Sequence, residues 1–91
     1  MAKIIKANGE QIEVTPKNGK DFKLEELKAI VNGWIEIVWL PNNEDIMVIN
    51  EEGKLMDLPF NSTATKIYYD AFGYDDVIVG DVLLCDSNQV K

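Results

Sequence analysis

The sequence predicts an α+β domain: an antiparallel sheet of about five to six strands with two helices, in the order ββα-βββ-αβ. Short runs of β-branched and aromatic residues alternate with turn dipeptides, and two segments have helical spacing of apolar residues. The connections between the strand-like runs are short, which favours antiparallel neighbours. The 91 residues suffice for one domain. We expect its core over residues 3–86 and a mobile tail at 87–91.

The chain is predicted to begin with a β-hairpin and a helix. Residues 3–6 and Gln11–Val14 are strand-like and flank Asn8-Gly9, which supplies the positive φ angles of a two-residue turn. The helix follows a loop and is indicated by the spacing of its apolar residues, Leu24, Leu27, Ile30 and Val31. Asn32-Gly33 then offers the left-handed residue that ends a helix.

Three strands are predicted in the middle of the chain. Residues 34–40 are apolar on both faces, which indicates a central strand. Because Trp34 and Trp39 have opposite parity, they cannot share a face, and we expect at least one in the core. Residues 46–50 return as a second strand, and a turn at 51–53 leads into a third at 54–56, completing a meander.

The last elements are a second helix and a final strand. Asn61 is the expected N-cap, and Gly73 ends the helix. The apolar residues between them recur at helical spacing: Ala64, Ile67, Tyr68 and Ala71. The final strand is predicted at residues 82–85, after a bend at Gly80.

The net charge is −7, and the whole excess falls in residues 41–91, which hold three lysines and ten acids. Such a field repels a phosphate backbone, so we expect no direct nucleic-acid binding. Two interpretations of the acidic surface stay open. It keeps the protein soluble, or it meets a basic partner.

The sequence contains no histidine and no arginine, which excludes imidazole-based catalysis and two-pronged guanidinium binding. Cys85 lies in an apolar run and is interpreted as a buried, inert thiol. The paired acids Glu44-Asp45, Glu51-Glu52 and Asp75-Asp76 lack the spacing of a cation loop. We therefore predict no enzyme, no cofactor and no metal site.

The candidate interaction surface combines acids with exposed aromatic and polar residues. Glu36 stands out because a carboxylate in an apolar strand must reach solvent or a partner. Tyr69 and Tyr74 are the aromatic residues expected to be exposed. The full set is Glu36, Glu51, Glu52, Asn61, Tyr69, Tyr74, Asp75 and Asp76.

The pattern also bears on location and assembly. No apolar run reaches membrane-spanning length, the N-terminus has no signal-peptide pattern, and the single cysteine cannot form an internal disulfide. We expect a cytoplasmic protein without membrane contact. A homo-oligomer stays open, formed through an exposed edge strand at the N-terminal hairpin or at residues 82–85.

Several short motifs in register resemble the family known as domain of unknown function 3846. They are VNGWIE at 31–36, NEEGKL at 50–55, LPFN at 58–61 and VGDV at 79–82. The resemblance covers residues 24–84 and includes Glu36 and Asn61. It implies a small domain of bacterial phages or conjugative elements, and it carries over no catalytic residues.

Two functional hypotheses follow. The first is a non-enzymatic accessory or protein-interaction domain of a bacterial mobile element, acting through its acidic surface on a protein partner that is basic. The alternative is a protein that binds and sequesters a small ligand or nucleotide, using backbone amides at the start of the second helix. Affinity for a nucleotide would separate the two.

Overall fold

The computed structural model describes residues 2–42, 44–73 and 76–90. They form one antiparallel sheet of five strands with two α-helices, which confirms the predicted α+β class. The strands are β1 (Ala2–Ile5), β2 (Gln11–Val14), β3 (Ile35–Trp39), β4 (Asp45–Asn50) and β5 (Val82–Asp86). The helices are α1 (Leu24–Val31) and α2 (Ser62–Phe72), and a 3₁₀ turn spans Ser87–Gln89.

The N-terminal hairpin forms, but its turn is a loop of three residues, 7–9, and not the predicted two-residue turn. β1 pairs with β2, with Ile4 opposite Ile12. The Lys6 N–H donates to the Glu10 carbonyl at 2.8 Å, and Gly9 has a φ of 98°. Glycine adopts this left-handed conformation at low cost, whereas Asn8 has no positive φ. One left-handed residue is typical of a three-residue hairpin loop.

The last strand lies at the centre of the sheet, whose order is β2-β1-β5-β4-β3. β5 pairs with β1, with Val82 opposite Ile5, and with β4, with Cys85 opposite Ile46. The prediction that residues 82–85 form an exposed edge is therefore wrong. Their apolar character reflects a strand that is buried on both faces of the sheet.

The chain after β4 departs from the predicted meander, because residues 54–56 lie in turns and not in a third strand. The Gly53 N–H donates to the Asn50 carbonyl at 3.3 Å, and the Leu58 N–H donates to the Gly53 carbonyl at 3.1 Å. These bonds fold the segment back on itself, so it forms no extended run that could pair with β4, and β5 occupies that side of β4 instead. β3, predicted to be central, is an edge of the sheet.

The two helices pack on opposite faces of the sheet, which we call the α1 face and the α2 face. The buried core of the α1 face consists of Ala2, Phe22, Leu27, Val31, Ile46, Val48, Leu83 and Cys85. That of the α2 face consists of Ile5, Met47, Ala64, Ile78 and Val82. Because successive strand residues alternate between faces, β5 contributes to both cores.

Both helices end as their sequences predict. α1 ends at Asn32, which adopts a left-handed φ of 65°. α2 begins after Asn61, whose Oδ1 accepts the Ala64 N–H at 3.0 Å, and it ends at Gly73 with a φ of 75°. Among the described residues, no helix has the length and apolarity needed to cross a membrane.

The C-terminal residues extend the α1 face. The Phe22 N–H donates to the Gln89 carbonyl at 2.7 Å, and Val90 forms a parallel bridge with Phe22. Val90 also packs on the core of the α1 face. The mobility of residues 87–91 stays a prediction.

Candidate functional site

An open cleft of about 420 Å³ lies on the α2 face, where α2 approaches the edge strand β3. Tyr68 and Phe72 contribute from α2, and residues 36–39 contribute from β3. Residues 49–55 and 76–79 complete the lining. The cleft thus gathers segments that are far apart in the sequence.

Part of the cleft lining is apolar. Val38, Ile49 and Tyr68 are partly buried and pack on the core of the α2 face, to which the buried Ile78 belongs. The rings of Tyr68 and Phe72 have centroids 4.7 Å apart and are tilted by 42°. Aromatic rings in such a tilted arrangement attract each other, and this contact stabilises the side of the cleft that α2 forms.

Carboxylates surround this apolar surface, and we call the whole the acidic cleft. Glu36, Glu51, Glu52 and Asp76 all line it and are all exposed. Over residues 2–42, 44–73 and 76–90, no hydrogen bond or ion pair involves the carboxylates of the three glutamates. Four of the eight residues predicted for the interaction surface therefore come together in one place.

One cation, Lys54, lies among the described residues that line the cleft, and it already has a partner. Its Nζ is 2.8 Å from Asp76 Oδ1, and the same oxygen accepts the Val77 N–H at 2.8 Å. The hydrogen bond from Lys54, followed by that from the backbone, lowers the pKa of Asp76 from its usual 3.8. Asp76 is consequently ionised at neutral pH, and the negative charge of the three glutamates is not offset.

Asn50 positions the acidic turn, a role that sequence reasoning missed. Its buried side chain donates from Nδ2 to the Val31 carbonyl at 2.9 Å, while Oδ1 accepts the Glu52 N–H at 2.8 Å. The Glu51 N–H in turn donates to the Trp34 carbonyl at 2.9 Å. An asparagine that accepts from the amide two residues later is typical of an Asx turn, and this spacing is the signal that could have identified it.

Asn61 is not part of the surface, and its inclusion there was wrong. It is fully buried, with 0% exposure. Its Nδ2 donates to the carbonyls of Ile5 at 2.9 Å and Gly80 at 2.8 Å, while Oδ1 caps α2. With all these partners inside the protein, Asn61 links α2 to β1 and to the segment before β5.

The remaining predicted surface residues have separate outcomes. Tyr69 is 50% exposed, as expected, but it is not among the residues that line the cleft. Tyr74 and Asp75 lie outside the described residues.

The expectation that one tryptophan is buried is wrong. Trp34 is 56% exposed and Trp39 is 60% exposed. β3 is an edge strand, so its flanking side chains lack the cover that a central strand would have. The Nζ of Lys28 lies 3.8 Å from the centroid of the Trp34 ring, and this cation–π contact covers part of the Trp34 side chain.

Cys85 is buried, as the sequence predicted, with 1% exposure. Burial, reinforced by the nearby charge of Asp86, raises the pKa of the thiol to about 11. The thiolate that nucleophilic chemistry requires is therefore scarce at neutral pH. Across the described part of the chain, no three potential ligands cluster in a way that could hold a metal ion.

The chain matches a known protein family. The family model described as "Domain of unknown function (DUF3846)" matches residues 1–90. No curated protein and no solved structure matches the chain. The description of the family assigns no activity, so a function has to be argued from the cleft.

Proposed function

We propose that this chain, which belongs to the DUF3846 family, is a non-enzymatic interaction domain whose acidic cleft binds a basic segment of a protein partner. The observation that carries the proposal is the set of three glutamates, Glu36, Glu51 and Glu52, whose carboxylates lack a partner among the described residues. They surround apolar side chains that stay accessible in an open cleft.

Charge favours a cationic ligand. A lysine ammonium 4 Å from one carboxylate gains about 1 kcal/mol in water and about 4 kcal/mol at the effective dielectric of a protein surface. Lys54 neutralises only Asp76, so the glutamate charges are available to an incoming cation. The same charges would repel a nucleic acid or another ligand that carries phosphate groups.

The apolar part of the cleft suits the remainder of a basic side chain. Lysine and arginine cover apolar surfaces with their aliphatic stems while their charged ends stay in solvent. Val38, Ile49 and the ring pair of Tyr68 and Phe72 offer such a surface. Contact area of this kind contributes about 25 cal/mol per Å² removed from water.

The test is calorimetric titration with a capped octapeptide of alternating lysine and valine at low ionic strength, where charge attraction is least screened. We expect the unmodified chain to bind it. The triple substitution Glu36→Gln, Glu51→Gln and Glu52→Gln should raise the dissociation constant at least tenfold.

A control triple variant changes the net charge equally but leaves the cleft intact: Glu10→Gln, Glu13→Gln and Glu25→Gln. All three glutamates are exposed and none lines the cleft. We expect the dissociation constant to change less than threefold. Equal weakening by both triple variants would mean that overall charge attracts the peptide, and it would overturn the proposal.

A small-molecule ligand is the second candidate, and the cleft volume favours it. About 420 Å³ falls in the range of about 300–1,000 Å³ typical of ligand pockets. The glutamates argue against a nucleotide, since its phosphates would be repelled. In a thermal-shift screen against nucleotides we expect no stabilisation. A ligand at 100 times its dissociation constant would add about 2.7 kcal/mol, and such a shift would favour this candidate.

The biological setting is part of the proposal. The resemblance of the motifs to proteins of phages and conjugative elements supports a role inside a bacterial cell, with a partner encoded by the element or by its host. Fractionation of cells that express the chain should recover it in the cytoplasm. Recovery with the membrane or the medium would contradict this setting.

A further inference from the structure

We propose that the partner segment binds as an additional strand along the free edge of β3, with its basic side chains directed into the acidic cleft. This inference rests on the proposed function and specifies how the partner is held. The occupant is an extended segment in which basic residues alternate with apolar ones.

The hydrogen-bond register of β3 shows which backbone groups face outward. The Glu51 N–H donates to the Trp34 carbonyl at 2.9 Å, and the Leu40 N–H donates to the Asp45 carbonyl at 3.1 Å. In an antiparallel pair, hydrogen-bonded and non-hydrogen-bonded positions alternate. Even-numbered residues of β3 therefore bond to β4.

The odd-numbered residues Ile35, Ile37 and Trp39 consequently direct their N–H and C=O groups away from β4. No strand pairs with this side of β3 in the described part of the chain. Three residues with outward donors and acceptors form a row about 14 Å long, since residues two apart on a strand are separated by about 7 Å. That row matches a strand of typical length, and strand addition is an established way to bind peptides.

The two faces of β3 determine what the added strand must carry. Glu36 and Val38 project onto the α2 face, where they line the cleft. Ile35, Ile37 and Trp39 project onto the α1 face, where the isoleucines pack on the core. Side chains of an added strand alternate between the same faces, so basic residues meet the carboxylates and apolar residues adjoin the isoleucines and Trp39.

Charge argues against a second copy of the chain as the occupant. Antiparallel pairing of two β3 strands would bring the two Glu36 side chains close together at the joint edge. Each chain also has a net charge of −7. Like charges across neighbouring strands destabilise the pairing, whereas a basic strand gains attraction at the same positions.

The first test uses the unmodified protein and two peptides, so it does not depend on the folding of any variant. One is the capped lysine–valine octapeptide. The other has the same sequence but carries methyl groups on the backbone nitrogens of its four central residues, which keeps the charge and removes the donors. We expect the methylated peptide to bind at least tenfold more weakly.

A second test changes the edge itself. Proline at position 37 removes an N–H that faces outward, so the ladder with β4 is preserved, and edge strands tolerate proline at such positions. Ile37→Ala is the matched control, because it loses the same packing on the α1 face but keeps the N–H. We expect Ile37→Pro to bind the octapeptide at least tenfold more weakly than Ile37→Ala.

The outcomes separate this inference from the proposed function. If both peptides bind within threefold of each other while the cleft glutamates still matter, the cleft binds basic segments and strand addition is overturned. If the octapeptide does not bind the unmodified protein, both proposals fail. A dimer in sedimentation velocity that Ile37→Pro dissociates would assign the edge to a second copy and overturn the inference.

Discussion

The polar side chains near the two ends of α2 differ in burial and in hydrogen bonding. At its start, Asn61 is fully buried, and its side chain makes three hydrogen bonds within the chain. Near its end, Tyr68 and Phe72 border a cleft where the carboxylates of Glu36 and Glu52 have no partner in the described residues. One helix thus spans a polar site that stabilises the fold and a polar site that is open to a ligand.

The difference follows from solvation. A buried polar group without a partner costs about 1–3 kcal/mol, so the buried end must be fully hydrogen-bonded. An exposed carboxylate is solvated by water and needs no partner to be tolerated. Substitution of a polar residue at the Asn61 end should therefore lower stability, and substitution of one at the cleft end should weaken binding.

Asn61→Ala should have the largest effect on stability. It removes the cap of α2, worth about 1 kcal/mol, and leaves the buried carbonyls of Ile5 and Gly80 without their donor. We expect a loss of about 3–5 kcal/mol in urea unfolding, from a total of about 5–9 kcal/mol for a chain of this size.

Asn8→Ala is the matched control, because Asn8 also accepts a backbone N–H, that of Glu10 at 2.9 Å, but in an exposed turn. Its loss should cost less than about 1 kcal/mol. Equal effects of the two substitutions would remove the distinction between the buried and the open end.

Gly80→Ala should have the next largest effect on stability, because Gly80 accepts a hydrogen bond from Asn61 and is closely packed. Its φ is 79°, and an added Cβ would lie 2.8 Å from Leu58 Cδ1. Gly19 has the same φ with no atom within 4 Å of the added Cβ. We expect Gly19→Ala to cost about 1 kcal/mol from backbone strain alone.

Gly80→Ala adds a steric term to that strain, for a total of about 2–4 kcal/mol. The difference between the two variants in urea unfolding measures how tightly the buried end is packed. Identical losses would indicate that Leu58 moves aside and that this end is loosely packed.

The cleft glutamates should contribute little to stability. Replacing Glu36, Glu51 and Glu52 by glutamine removes no hydrogen bond or ion pair of their carboxylates within the described residues. We expect the free energy of unfolding to change by less than about 0.5 kcal/mol per site. A loss of several kcal/mol for the triple variant would show that these carboxylates support the fold, contrary to their assignment.

Lys54→Met should have the smallest effect on stability, because the ion pair with Asp76 is exposed and pairs of this kind contribute at most about 1 kcal/mol. The variant should instead raise the pKa of Asp76, measured by NMR titration of its carboxyl carbon. Since the folded-state pKa is lowered, the pair stabilises the fold above the unfolded value of 3.8. That contribution is lost as the pH falls through the lower folded-state value.

Lys66→Met is the control, because Lys66 pairs with Asp70 at 3.2 Å on the exposed side of α2. It should leave the pKa of Asp76 unchanged. A pKa of Asp76 that responds equally to both variants would mean that long-range charge, and not the contact with Lys54, sets its value.

The parts of the fold that depend on neighbouring residues could be predicted from the sequence. Asn8-Gly9 indicated the hairpin, the spacing of Leu27 and Val31 indicated α1, and Asn61 indicated the start of α2, because each signal acts within a few residues. The carboxylates of the site were predicted too, as members of a larger interaction surface.

The parts that depend on distant pairings could not be predicted. The position of β5 between β1 and β4 joins segments about 80 and 40 residues apart. It decides that β3 is an edge and that both tryptophans are exposed. The burial of Asn61 has the same origin, since its donors reach the carbonyl of Ile5 on β1. Local patterns contain no information on these contacts.

We propose that the acidic cleft, and not the charge of the whole chain, binds a basic segment. Titration of the isotopically labelled protein with the lysine–valine octapeptide, followed by amide chemical shifts in NMR spectra, tests it most directly. We expect the perturbed amides to fall in residues 36–39, 49–54 and 76–79 and to saturate together. Perturbations centred on β2 and α1, or spread evenly over every acidic segment, would contradict it.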